Sequence, residues 1–254
     1  QTLPEPLSII EAFKRRHSIR CYQGQNLTQQ QKDLVEQCIS EANTLETPFH
    51  STGLELSSSE PGLSLLSVIK GEAGWIVEKI LKRKRHQPQT NEVIDEQMKH
   101  VIDVAYMGEH VVMKLAQYGI DTIWIADTYN EKEAEKRFPG YNVPSAIAFG
   151  IKQTTRNPIE RPIRFFGSLP GERLPFENIF YDSANKRLIY QEDFKSPPPK
   201  NTPKYPSYLK DFLTALRSSP SAKNIQPWRF VLSGKEVHLF CVIVNKYSLF
   251  DMGI

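Results

Sequence analysis

The sequence of 254 residues lacks most of the features that assign a chemistry at sight. It has 3 cysteines, Cys21, Cys38 and Cys241, far apart and in no Cys-x-x-Cys pair. An odd count cannot pair fully, so reduced, buried thiols in a cytoplasmic protein are expected rather than a disulfide scaffold. The 6 histidines, His17, His50, His86, His100, His110 and His238, show no ligand spacing such as His-x-x-x-His, and no metal site is expected. No apolar run approaches the roughly 20 residues that span a bilayer, and no signal-peptide pattern is visible. A Gly-x-Gly-x-x-Gly is missing, so no Rossmann nicotinamide domain is expected. A nucleophile–base motif is missing too. The formal net charge is +3, too weak and too mixed in sign to argue for nucleic acid. The basic run Lys82-Arg83-Lys84-Arg85 reads first as a solvated helix end or loop.

What is present fits a globular chain. Apolar residues make up 39% and charged residues 24%, and the length suffices for one large domain or two small ones. Ser8 and Glu11 form the pattern of a capping box, opening a helix to about Arg15 or Arg16 with Ile9, Ile10 and Phe13 on one face. Arg16 to Tyr22 alternates as a strand or extended turn would. Thr28 and Gln31 suggest a second capping box, followed by Leu34, Val35, Cys38, Ile39 and Ala42 at helical spacing. From Ser51 to Ile76 the chain is strand-like, with Gly53, Gly62, Gly71 and Gly74 at the expected turns. A long helix is expected over Glu96–Tyr118, stopped at Gly119. A buried strand at Thr122–Ile125, a charged helix at Glu131–Arg137 and a strand at Ser145–Phe149 follow.

Lys195 to Pro206 carries 5 prolines and reads as a semi-rigid linker. Beyond it come a helix over Tyr208–Arg217 and two strands joined at Ser233-Gly234. A weak repeat runs through the chain. Lys32-Asp33-Leu34-Val35 is echoed by Lys210-Asp211-Phe212-Leu213, and Ile102-Asp103-Val104 by Phe250-Asp251-Met252. The expected organisation is a first half over 1–194, a linker over 195–206, and a second half over 207–254 truncated at its C-terminus.

Two segments hold the candidate chemistry. Arg16, Ser18 and Arg20 are spaced by two, so an extended backbone projects two guanidinium groups and a hydroxyl to one side. That set suits an anion such as phosphate; a solvated basic strand is the commoner origin of such spacing. The stretch Ser219-Pro220-Ser221-Ala222-Lys223-Asn224-Ile225-Gln226-Pro227-Trp228 is rich in small and polar residues and ends in Pro-Trp before a strand. Small residues let backbone approach a flat ligand, and Asn224 offers both donor and acceptor. An ordinary helix-to-strand loop, with Trp228 plugging a core, explains the same residues equally well.

These segments resemble the FMN-dependent nitroreductase family. Arg16-His17-Ser18-Ile19-Arg20 is similar to its N-terminal Arg-x-Ser-x-Arg segment, and Ser219 to Trp228 to its Pro-Ser-x-x-Asn-x-Gln-Pro-Trp loop. Gly119 to Trp124 resembles the family's Gly-Leu-Gly-Thr-x-Trp strand, and Arg173 to Glu177 its Arg-x-Pro-x-Glu segment. Ala42 to Phe49, where ordinary members carry the Pro-Trp loop, lacks it. The order resembles the family's single-chain branch, in which one polypeptide carries both halves of the usual dimer.

The resemblance implies an α+β fold with a mixed sheet flanked by helices and an internal pseudo-two-fold repeat. It implies an oxidoreductase that passes hydride from NAD(P)H through the N5 atom of FMN to a nitroaromatic or quinone-like acceptor. Arg16 and Arg173 would hold the phosphate, and His17 and Ser18 the phosphate or ribityl chain. Arg20 would stand near the N1–C2=O edge. Trp124, Ala126 and Asp127 would line the ring near N5, and Pro220, Ser221, Ala222 and Asn224 would flank it. Ala126-Asp127 replaces the Gly-Gly usual in the single-chain branch, and Gly171 stands where some relatives place a phosphate-binding Lys. The alternative is a non-catalytic flavin-binding or flavin-free scaffold. The implied partner is a small-molecule electron acceptor, with no nucleic acid or membrane, on a monomer with an internal pseudo-dimer or a weak homodimer.

Overall fold

The computed structural model describes residues 3–24, 27–64, 69–82, 91–126, 129–153, 173–243 and 248–254. Arg83, Lys84, Arg85, Asp127 and Gly171 lie outside the described residues. The chain divides into two compact units, Gln1–Arg161 with Gly253–Ile254, and Pro162–Met252.

In the first unit the helices start where their capping residues place them. Ser8 Oγ accepts the Glu11 amide at 3.3 Å, and the Glu11 carboxylate accepts the Ser8 amide at 3.0 Å, opening α1 (Ile9–Arg15). Thr28 and Gln31 reciprocate in the same way at the start of α2 (Gln29–Ala42). Each box satisfies donors that a helix start leaves without partners. α2 buries Leu34, Val35, Cys38, Ile39 and Ala42, the face its spacing predicts. α1 departs from expectation: Ile9 is 50% and Ile10 41% exposed. Its buried contact is Ala12, set against Met113 and Ala116 of α3 (Asn91–Gln117), with Phe13 packed at the edge. In a helix of 7 residues, a small side chain at the contact lets the backbones approach closely, so the isoleucines stay outside.

α3 stops as predicted. Gly119 has φ +80°, and the Gly119 amide returns to the Ala116 carbonyl, a left-handed turn that glycine adopts without strain. The chain then enters β3 (Asp121–Ile125). β3 joins an antiparallel sheet with β1 (Leu54–Ser59), β2 (Gly74–Leu81) and β5 (Ala146–Gly150), in the order β1-β2-β5-β3. The short β4 (Tyr141–Asn142) pairs with the end of β2, and α4 (Glu131–Arg137) precedes it. Gly53, Gly62 and Gly71 take positive φ, as their expected turns require, whereas Gly74 opens β2 in extended conformation.

β2 is buried on both faces. Its residue Ile76 packs with Ile147 and Phe149 against α2 and α3, and Trp75 and Val77 pack with Ile123, Ala146 and Ala148 beside Ala134 of α4. The period-2 alternation of a strand thus feeds two separate apolar clusters. A fully buried aspartate ties the loop after α2 to this core. Asp103 on α3 accepts the Thr47 hydroxyl and the amides of Phe49 and Ser51, each at 2.9 Å. Burial pushes the Asp103 carboxyl up, but the hydrogen bonds from Ser51, Phe49 and Thr47 outweigh it and hold the pKa below the ordinary aspartate value.

The second unit holds a mixed sheet in the order β7-β6-β8-β9, in which β6 (Phe180–Asp182) and β8 (Trp228–Ser233) run parallel. β7 (Arg187–Leu188) and β9 (Glu236–Cys241) pair antiparallel at the edges. α5 (Ser207–Ser218) buries Leu209 and Leu213 against Phe176, Phe180, Trp228 and Phe230. A short turn of helix, α6 (Ser248–Asp251), follows β9. The architecture is α+β, as the resemblance implies, with one antiparallel and one mixed sheet.

The compact units divide before Pro162, not at the proline-rich segment over 195–206. The reason is the pairing of β6 with β8, which draws the chain from Arg173 onwards into the second unit. The proline-rich segment is itself held there: Tyr205 donates to Asp182 at 3.0 Å and its ring packs on Phe194. The order helix, loop, two antiparallel strands occurs in both units, as α2, 43–53, β1, β2 and as α5, 219–227, β8, β9.

Replacing Asp103 by Ala would strand the Thr47, Phe49 and Ser51 donors. We expect a loss of roughly 3 kcal/mol in urea unfolding followed by circular dichroism. The wild-type contribution is present above the ordinary aspartate pKa and fades as pH falls through the depressed native value. A variant as stable as wild type at pH 7 would refute the tie.

Candidate functional site

In the first unit, the predicted anion cradle follows directly from the end of α1. Arg16 caps that helix, its amide bonding to Ala12 O at 2.8 Å, and the chain leaves in extended form. Ser18 bridges Thr122 of β3 in parallel, and the Ile19 amide donates to Thr122 O at 3.1 Å. Ile19 and Cys21 turn inwards and are buried. Ser18 is exposed on the other side, and Arg16 and Arg20 are half-buried. The expected spacing of two guanidinium groups about a hydroxyl is therefore realised along the edge of β3. His17 is exposed, with Nδ1 against Arg15 O at 2.6 Å. Trp124 of β3 and Ala126, just past its end, are half-buried.

Behind this edge lie two acids that sequence reasoning missed. Glu109 on α3 accepts the Trp124 indole N–H at 3.0 Å. Burial raises its pKa to about 7, against the attraction of Arg16 and the Trp124 hydrogen bond. Glu78 on β2 is fully buried. Its Oε2 accepts the Ser145 hydroxyl at 2.6 Å, and its Oε1 has no hydrogen-bond partner. Burial is the main reason that its pKa stands well above the carboxylate range; Ser145 opposes the shift and Glu109 adds to it. Gly108 makes the room: a Cβ there would meet Glu78 Oε1 at 2.2 Å and Trp124 Cη2 at 2.5 Å. Glu109 and Glu78 thus both lie close to the Trp124 indole, and burial drives both carboxyl pKa values up. One signal was readable beforehand. Glu109 follows Gly108 within the apolar α3 face, and Glu78 follows Trp75-Ile76-Val77 within a buried strand.

The remaining predicted residues lie in the second unit. Arg173 donates from Nη1 to Ser219 O at 2.8 Å and Asn224 Oδ1 at 3.1 Å, and from Nη2 to Ser218 O at 2.8 Å. Pro220, Ser221, Ala222 and Asn224 form the loop these contacts hold, with a 3₁₀ turn over Ala222–Asn224. Gln226 ties the loop to its own backbone: its amide donates to Ser221 Oγ at 3.0 Å and its Nε2 to Asn224 O at 3.2 Å. Gln226 Oε1 also accepts the Leu174 amide at 2.9 Å. Trp228 is buried in the unit's core, so the plug reading of that residue holds too. The structure therefore gathers the predicted residues in two groups, one in each unit.

The family model described as "Putative TM nitroreductase" matches residues 8–254. The chain belongs to this family. Membership places it among nitroreductase-type oxidoreductases. One solved structure of the same fold covers the whole chain. A crystal structure of a putative nitroreductase from Thermotoga maritima MSB8 superposes with a TM-score of 0.58 at 19% identity, covering 100% of this chain and 82% of that one. A nitroreductase family protein from Clostridium novyi NT gives a TM-score of 0.46 at 18% identity, over 58% of this chain and 87% of that one. A putative nitroreductase in complex with FMN from Exiguobacterium sibiricum 255-15 gives 0.47 at 16% identity, over 63% and 98%. No curated protein matches. Among the described residues, no helix is long and apolar enough to cross a membrane, and no cluster of three or more His, Cys, Asp or Glu could hold a metal ion.

The raised acids make a pH-dependent prediction. Glu109 binds a proton more tightly in the folded chain than the ordinary value of 4.5 allows, so stability falls as pH rises from about 4.5 to 7. Glu109→Gln should remove roughly 3 kcal/mol of that fall, read from urea midpoints across the window. A variant with the wild-type pH slope would show that Glu109 titrates normally.

Proposed function

We propose that the protein is an FMN-dependent oxidoreductase that takes hydride from NAD(P)H and delivers it to a nitroaromatic or quinone-like acceptor. The observation that carries this reading is the Arg16–Ser18–Arg20 edge beside Trp124 and Ala126, built in a chain of the nitroreductase family. Its donor set fits a planar cofactor with a phosphate. Two half-buried guanidinium groups flank an exposed hydroxyl, and the buried Ile19 and Cys21 fix the backbone that presents them.

Arg16, with His17 and Ser18 beside it, would bind the phosphate and ribityl chain. Arg20 would place positive charge at the N1–C2=O edge, where it favours a reduced, anionic ring. Trp124 and Ala126 would form one wall, and Asp127 stays with them in the proposal. Bound FMN supplies the two-electron chemistry, with hydride entering and leaving at N5. For the loop of the second unit, Pro220, Ser221, Ala222 and Asn224, we propose a flavin-facing role as well. The acceptor is a small molecule, and the chain works as a monomer or weak homodimer in the cytoplasm.

A second reading has one observation in its favour. Arg173, which the family resemblance assigns to phosphate, has three hydrogen bonds committed to its own loop. With that cation engaged, a flavin-free scaffold derived from the family is the alternative. The visible absorption spectrum separates the two. The oxidoreductase is yellow as purified or after incubation with FMN, and bleaches with NADPH or NADH; the scaffold stays colourless. Arg16→Ala should weaken FMN retention by roughly 1.5–3 kcal/mol, the scale of a charge-assisted hydrogen bond. Lys82→Ala, which removes an exposed pair with Glu135, should leave retention unchanged. Equal retention in wild type and Arg16→Ala would count against the cradle.

A further inference from the structure

The 219–227 loop is held in a conformation that it would not keep unaided. Asn224 has φ +57° and Gln226 φ +49°, left-handed values that non-glycine residues adopt rarely. Such geometry persists where the surroundings over-determine it. Arg173 supplies one restraint. Its planar fork spans Ser218 O, Ser219 O and the Asn224 side chain, with the contacts divided between its two terminal nitrogens. Arg217 steadies the backbone of Arg173 itself, donating to Arg173 O at 3.0 Å and Leu174 O at 2.6 Å.

Asp251 supplies the other restraint. Its Oδ1 accepts the Ala222 amide at 2.9 Å, at the start of the 3₁₀ turn. The sequence repeat pairs Asp251 with Asp103, and the structure gives both the same task. Each lies on a helix and accepts a backbone amide from the helix-to-strand loop of its own unit. The difference between them is informative. Asp103 receives three donors, whereas Asp251 receives the Ala222 amide and leaves Oδ2 buried with no hydrogen-bond partner. The first loop is a sealed structural connection. The second, which carries the Pro-Trp motif, is latched at one amide.

We propose that Arg173 and Asp251 are positioning residues that preset the 219–227 loop before any ligand binds, and that Arg173 serves the cofactor through this loop rather than by contact with phosphate. The consequence for a cofactor rests on the flavin-facing role given to the loop above; the latch itself does not. Burial raises the Asp251 pKa to about 7, and the Ala222 hydrogen bond, which favours the carboxylate, opposes that shift.

Hydrogen exchange of the full-length, flavin-free protein tests this at the amides of Ala222, Asn224, Ile225 and Gln226. Arg173→Ala should speed their exchange at least ten-fold and leave β2 and β5 protected as in wild type. Arg173→Lys should fall between the two, and it decides the matter if the alanine variant does not fold. Asp251→Ala should release Ala222, while Asp251→Asn, which keeps the acceptor, should restore it. Wild-type protection in Arg173→Ala together with lost FMN retention would make Arg173 a direct ligand and overturn the proposal. Wild-type protection in Asp251→Ala would overturn it as well. A loosened loop with unchanged FMN retention would uphold the latch and refute the flavin-facing role of the loop.

Discussion

The burial of β2 on both faces is the constraint on which the first unit depends. Trp75, Ile76 and Val77 are each fully buried, and they point alternately into two apolar clusters. A strand in that position needs ladder partners along both edges, which β1 and β5 provide, and cover above and below, which α2, α3 and α4 provide. Once β2 is fixed, β5 fixes β3, and β3 fixes the extended segment that carries Arg16, Ser18 and Arg20. The proposed anion cradle is thus the outermost consequence of a core decision two strands away.

Acids inside that core follow a common logic. Asp103 is surrounded by donors and stays ionised, because each backbone amide offsets part of the desolvation. Glu78 and Glu109 have fewer donors and rise instead, and Asp251 behaves like them. Depth of burial and the number of hydrogen bonds offered together decide which buried carboxyl keeps its charge. Asp103, with three donors, closes a loop that has lost the family's motif. Asp251, with the single Ala222 amide, lies beneath the loop that has kept it.

Much of the local structure was legible. Both capping boxes, the buried face of α2, the stop at Gly119 and the strands flanking Ser233-Gly234 follow from side-chain chemistry within a few residues, and the structure shows each of them. The readings that changed were those needing a distant partner. Ile9 and Ile10 face outwards because Met113 and Ala116 meet Ala12 instead. The proline-rich segment belongs to the second unit because β6 reaches across to pair with β8. Glu78 and Glu109 escaped notice because a charged letter within an apolar run does not reveal whether it will be hydrated or enclosed.

The sequence by itself determined the helix starts and stops, the alternation that turns Ile19 inwards and Ser18 outwards, and the motifs that mark the family. These depend on contacts a few residues apart, whose geometry the backbone fixes directly. Only the tertiary structure decided that Arg173 grips the Pro-Trp loop, that Asp251 lies under it, and that two buried acids with raised pKa values lie near Trp124. Those contacts join residues that are 15 to 51 positions apart. Their existence depends on how strands pair and which surfaces lose water, and no local pattern encodes that.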